Sequence, residues 1–141
     1  MRGHTLVELL FVLTLMGAGA ASLAPTARRY RERASVVAAR EAFVGLLAEA
    51  RAAAMESGEA SVRVVSGPWS AQVVARDSTL RAVELEGDFD VTLSLNGGRP
   101  AVELRFGAMG LGLLAGQTIR FSRGDASAEL VVSSYGRVRR R

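Results

Sequence analysis

From Leu6 to Ala24 the chain carries a single charge, Glu8, in a run of Leu, Val, Phe, Ala, Gly, Met, Thr and Ser. No other feature constrains the fold as much. As a helix, residues 5–24 would extend about 30 Å at ~1.5 Å per residue, the thickness of a bilayer core. Two other readings compete. A cleaved secretory signal would start basic, run apolar and end at an A-x-A site, which Met1-Arg2 and Ala18-Gly19-Ala20 supply loosely. Glu8 stands against it, because such a signal is purely apolar at that point. A buried core helix is the third reading, disfavoured by the length and by Gly17 and Gly19. A membrane span is expected. Within it a carboxylate costs roughly 2.5–3.5 kcal/mol, so Glu8 calls for a partner.

Past Pro25 the apolar residues spread out. Val36, Phe43, Leu47, Ala50 and Ala54 fall on one helical stripe, with Arg33, Arg40, Glu41, Glu49 and Arg51 as polar positions between them. The run from Ala27 to Met55 has no Pro and only Gly45. One long helix is expected, bent at Pro25 and ended by Ser57-Gly58. With the apolar segment it makes a helix of about fifty residues, well above the usual length.

From Glu59 the period becomes two. Val62/Val64, Val91/Leu93/Leu95, Val102/Leu104/Phe106, Ile119/Phe121 and Leu130/Val132 alternate with polar neighbours. Turn signals separate them at Gly67-Pro68, Gly87-Asp88, Asn96-Gly97-Gly98, Gly107 to Gly112 and Arg123-Gly124-Asp125. The last also spells an adhesion tripeptide, but a β-turn is the expectation. The fold class is therefore α+β: a long amino-terminal helix packed on an antiparallel β-domain of about seven short strands. The expected segments are 1–3, 4–25 (span), 26–57 (amphipathic helix) and 58–141 (β-domain).

Composition narrows the chemistry. The chain has no Cys, which excludes disulfides and thiolate metal sites. Its only His is His4, outside the β-domain, so no Ser there has an imidazole to activate it. The carboxylates form no paired motif. Neither an enzyme nor a cofactor is expected. All 18 basic residues are Arg, and they cluster at Arg28 to Arg33 and at Arg137 to Arg141. Clusters of one sign suit an anionic surface or polymer, and equally a solvated tail.

The octapeptide Gly3-His4-Thr5-Leu6-Val7-Glu8-Leu9-Leu10 resembles the class III signal of type IV pilins and pseudopilins. The resemblance implies that prepilin peptidase cuts between Gly3 and His4, removing a leader of residues 1–3, and methylates the new amine. It also implies that the apolar helix stays as an inner-membrane anchor and later as filament core. Glu8 then pairs with the terminal amine of a neighbouring subunit. The physics agrees with that role: an α-amino group is mostly cationic at neutral pH, and pairing a buried carboxylate in trans rewards correct register. The leader is shorter than the family's usual one, and His4 stands where Phe is usual. Arg28, Arg29, Arg31 and Arg33 follow the span on the side that the positive-inside rule leaves poor in such residues. The motif sets the orientation taken here, with the amino terminus cytoplasmic and the β-domain periplasmic.

The stretch LRFGAMGLGLLAGQTIRFSRGDASAELVVSSYGRVRRR is similar to minor pseudopilins of the H type, the GspH/FimT family. This implies a minor subunit of a type II secretion or type IV pilus machine near the filament tip, with other minor and major pilins as partners. FimT-type members are associated with DNA capture for natural transformation through a terminal Gly-Arg-x-Arg, here Gly136-Arg137-Val138-Arg139, followed by Arg140 and Arg141. On an extended strand Arg137, Arg139 and Arg141 would share one face at about 6.5–7 Å spacing, commensurate with successive phosphates. Guanidinium forks bind phosphate bidentately, and Tyr135 could stack on a base. A soluble end on a last β-strand accounts for the same residues. A tip adaptor for secreted proteins and an anchored β-domain outside any filament remain as further readings.

Overall fold

The computed structural model describes residues 5–113 and 116–141, leaving out the side chains of residues 18 and 20–24. Gly3 and His4 lie outside the described residues. Helix α1 runs Leu6–Ser57. The chain forms two compact units, Met1–Arg31 and Glu32–Arg141.

In the first unit Thr5 starts the helix. Its carbonyl accepts the amide of Leu9 at 3.2 Å, and its hydroxyl lies 3.4 Å from the amide of Glu8. Leu6 through Met16 keep their apolar side chains exposed on all sides. Among the described residues, no helix is long and apolar enough to cross a membrane.

Among the described residues, the buried apolar core lies in the second unit. Val36, Ala39, Phe43, Leu46, Leu47, Ala50 and Ala54 are buried on one face of α1, the stripe expected from the spacing. Ser57 ends the helix. Gly58 follows at φ 91° and donates its amide to Ala54 O at 2.8 Å, a left-handed cap that glycine takes without Cβ strain.

Among the described residues eight strands follow, close to the seven or so expected: β1 Glu59–Val65, β2 Ser70–Ala75, β3 Ser78–Glu84, β4 Thr92–Leu95, β5 Ala101–Gly107, β6 Gln117–Arg123, β7 Ala126–Val132 and β8 Val138–Arg140. A short helix α2, Leu85–Phe89, buries Leu85 where Gly87-Asp88 suggested a turn. The strands form two antiparallel sheets in the orders β3-β2-β1-β5 and β4-β6-β7-β8. The chain thus changes sheet three times, after β3, after β4 and after β5, and stays in the second sheet from β6 onward. Inner faces of both sheets join α1 in one core, through Val62, Val64, Val73, Leu104 and Phe106 on one side and Leu93, Ile119, Phe121, Leu130 and Val132 on the other. Phe43 meets Phe121 edge to face, 5.9 Å between ring centroids.

Two carboxylate contacts fix how the second sheet meets the helix. Glu32 is only 8% exposed, and its carboxylate lies against Gly124 in the β6–β7 turn. A Cβ built on Gly124 would come within 2.6–2.8 Å of that carboxyl group, and Gly124 sits at φ 55°. The left-handed φ favours glycine, and a Cβ there would have to push aside the end of the Glu32 side chain. Its neighbour Arg123 donates to Ser35 Oγ and to Phe89 O (3.3 Å) and pairs with Asp90 at 3.0 Å. The Arg-Gly-Asp sequence is a docked β-turn whose arginine is spent on internal contacts.

Candidate functional site

The carboxyl-terminal arginines sit on a hairpin whose closure the sequence explains locally. After β7, Ser133 accepts the amide of Gly136 on its carbonyl (2.8 Å) and the amide of Arg137 on its hydroxyl (3.0 Å), while its own amide donates to Arg137 O (2.8 Å). Gly136 turns the chain at φ 79°. A Cβ there would lie 3.0 Å from the Phe106 ring and 3.2 Å from Arg51 Nη2. The glycine of the Gly-Arg-x-Arg motif is thus required by packing, whatever the arginines do.

Register then sorts the arginines. Val132 faces Val138, Val131 faces Arg139 and Leu130 faces Arg140, and backbone bonds of 3.0 and 3.1 Å join Arg141 to Glu129. With alternation of two, Val138 and Arg140 share the face of buried Leu130 and Val132, whereas Arg139 and Arg141 share the outward face. Arg137, Arg139 and Arg141 are exposed and have no ion-pair partner among the described residues.

Arg140 parts from this group. Its guanidinium grips Glu41 of α1 at 3.0 and 3.2 Å from Nε and 2.9 Å from Nη2. Arg40 donates to the same carboxylate at 3.0 and 3.1 Å. The hydrogen bond from Arg140 holds the Glu41 carboxyl below its usual range and raises Arg140 in turn. Arg140 works as a clasp between the last strand and the helix.

Two more arginines are tied into the domain. Arg51, read as a polar position between stripe residues, lies 5.5 Å over the Phe106 ring. Gly110 and Gly136 bring the backbone close to this end of α1. Arg40 keeps only 15% of its side chain exposed. Tyr135, by contrast, is 74% exposed beside the motif.

Glu8, the other site residue within the described set, lies in the first turn of α1 in the first unit. The structure therefore places the expected site residues at separate stations, with Glu8 in one unit and Arg137, Arg139 and Arg141 together in the other.

Comparison with known proteins bears on this architecture. The family model for "Type II transport protein GspH" matches residues 39–136. It thus spans the core-forming part of α1 and all strands except β8, and stops just before Arg137. Two crystal structures of the type IV minor pilin FimU from Pseudomonas aeruginosa PAO1 share the fold. One has a TM-score of 0.60 at 19% identity, covering 77% of this chain and 90% of that one. The other, in a second crystal form, has a TM-score of 0.56 at 20% identity, covering 74% and 90%. No curated protein matches the chain.

Proposed function

Because the chain belongs to the GspH family, whose members are pilin-like, we propose that it is a minor pilin or pseudopilin of a type II secretion or type IV pilus machine. The family match over residues 39–136 carries this reading. In it prepilin peptidase cuts after Gly3 and methylates His4, and the apolar helix anchors the subunit in the inner membrane. Glu8 then draws a neighbour's terminal amine into register as the helices bundle near the filament tip. Leu6 through Met16 support the assembly role, since they present apolar side chains all round a helix with no cover of their own. The work is structural rather than catalytic. The test is expression in a strain carrying the whole machine. Gly3→Ala should leave residues 1–3 on the chain, detected by mass spectrometry. Glu8→Ala should be processed normally but lost from sheared filaments. Wild-type yield of filament-borne Glu8→Ala would sink the assembly role.

A second reading has its own observation: Arg137 and Arg139 project from one outward face across from Ser133 and Val131, with Tyr135 beside them. Such a row suits a phosphate backbone, read without regard to sequence. Fluorescence anisotropy of labelled DNA with residues 28–141 tests it. Affinity should fall steeply with salt and drop in Arg137→Gln/Arg139→Gln. Binding indifferent to those two residues would remove DNA capture from this face.

A further inference from the structure

The chain has a single asparagine, Asn96, and a glycine follows it. The pair lies where the chain crosses between the sheets: β4 ends at Leu95 in the second sheet, and β5 starts at Ala101 in the first. This crossover is tied at both ends. Leu95 is buried before it, and Pro100 O accepts the Ser66 amide at 2.9 Å at its close. Between these ties residues 96–100 are all exposed. Asn96–Gly98 form a 3₁₀ turn with Gly97 at φ 76° and ψ 16° and Gly98 at φ 66°. Such a turn bonds each carbonyl to the amide three residues on, so the amide of Gly97, second in the turn, takes no part. The Asn96 carboxamide likewise makes no hydrogen bond among the described residues. Two unengaged groups that can react with each other are thus adjacent in the chain.

We infer that Asn96 is a site of spontaneous deamidation, with water as the only co-reactant. The Gly97 nitrogen gives up its proton to solvent and attacks Asn96 Cγ. The bond from Cγ to Nδ2 then breaks, and ammonia leaves with a proton taken from solvent. The five-membered succinimide that remains takes up one water. Opening at Cγ gives aspartate, and opening at the main-chain carbonyl gives isoaspartate, whose backbone runs through the side chain. A side chain on the following residue would shield its nitrogen, and glycine has none. The attack also needs Asn96 to rotate out of the turn. Gly97 and Gly98 permit this, since nothing lies within 4 Å of either Cβ position. The other carboxamides, Gln72 and Gln117, lie inside β2 and β6 and would have to close a six-membered ring. Conversion adds one carboxylate to the crossover, three residues before the exposed Arg99. The iso form also lengthens the link between the sheets by one backbone atom. The converted fraction grows with the age of a subunit.

The test incubates the full chain in detergent micelles at neutral and mildly alkaline pH, with and without urea. Residue 96 is followed by peptide mass mapping and by isoaspartyl methyltransferase labelling. A first-order rise of the aspartate and isoaspartate peptides is expected, faster at the higher pH because the attacking nitrogen must lose its proton. An exposed turn opens at little cost, so the native rate should stay within about tenfold of the rate in urea. A native rate slower than that would overturn the inference, because the turn would then hold the reacting groups apart. Asn96→Gln should abolish the labelling. Labelling unchanged in that variant would place the modification elsewhere and overturn the inference as well. The comparison with urea uses the wild-type chain alone, so it stands whether or not the variant folds.

Discussion

The outward faces of the two sheets carry similar arginines to opposite effect. On the first sheet the cross-strand neighbours of β1 and β5 neutralise one another. Arg105 pairs with Glu59, Arg63 lies 3.5 Å from Glu103, and Ser61 donates to Glu103 at 2.9 Å. On the second sheet Arg120 pairs with Glu129, which also lies across from Arg141, but Arg139 faces Val131 and has no acid opposite. Arginine content alone does not mark a binding face. What marks it is whether register places a carboxylate across from each guanidinium, because a paired ladder has little field left for an external anion.

The inner faces differ as well, and this difference gives the largest expected effect. The second sheet meets α1 through the Phe43–Phe121 ring contact, whereas the first has Phe106 under Arg51 and fills the rest with Leu104, valines and alanines. Phe121→Ala should cost about 3–5 kcal/mol in urea unfolding of residues 32–141, and Val62→Ala about half as much. The reverse order would break the view that the aromatic pair anchors the second sheet.

Next is Gly124→Ala, which sets a Cβ against the Glu32 carboxylate at a left-handed φ. A loss of about 1–3 kcal/mol is expected. Part of it should return in a Glu32→Ala background, because only the clash is relieved.

The outward faces are compared by DNA titration. Arg137→Gln/Arg139→Gln should lower the steepness of the salt dependence by roughly two. Arg63→Gln/Arg105→Gln should leave affinity within about twofold, since those arginines already have partners. Equal losses would erase the distinction between the faces.

The smallest effect is on the clasp. Glu41 titrates below its ordinary value near 4.5, so its bond to Arg140 stabilises the fold above that value and is lost as pH falls through the lowered one. Hydrogen exchange of the β8 amides should quicken in that acid range, and Glu41→Gln should remove the dependence. Core amides of β1 and β6 should not follow.

The residue pattern made the helix legible because burial there is periodic: each named stripe position, from Val36 to Ala54, is in the core. Strands with one wet face were legible for the same reason. β3 was not, since nearly all its residues are exposed and its turn from β2 is made by Arg76 and Asp77 at φ 50° and 60° without a glycine. Alternation on a strand correctly grouped Arg137, Arg139 and Arg141. Arg140 was grouped with them as a candidate DNA contact, and nothing in the spacing could show that Glu41 of α1 holds it instead. Arg51 over Phe106 and Glu32 under Gly124 were hidden in the same way. Each is a charged residue whose burial depends on a chain segment far away in sequence.

The clasp also has an order in time. Glu41 and Arg140 are 99 residues apart. A ribosome adding about 5–20 residues per second reaches Arg140 some 5–20 s after Glu41. The helix and the first sheet can settle in that interval, but the edge of the second sheet stays unsealed until its final strand arrives. A nascent or truncated chain therefore presents β7 as a bare edge, open to pairing with another chain. Pairing of β8 along β7 is thus what removes that edge from reach of another chain.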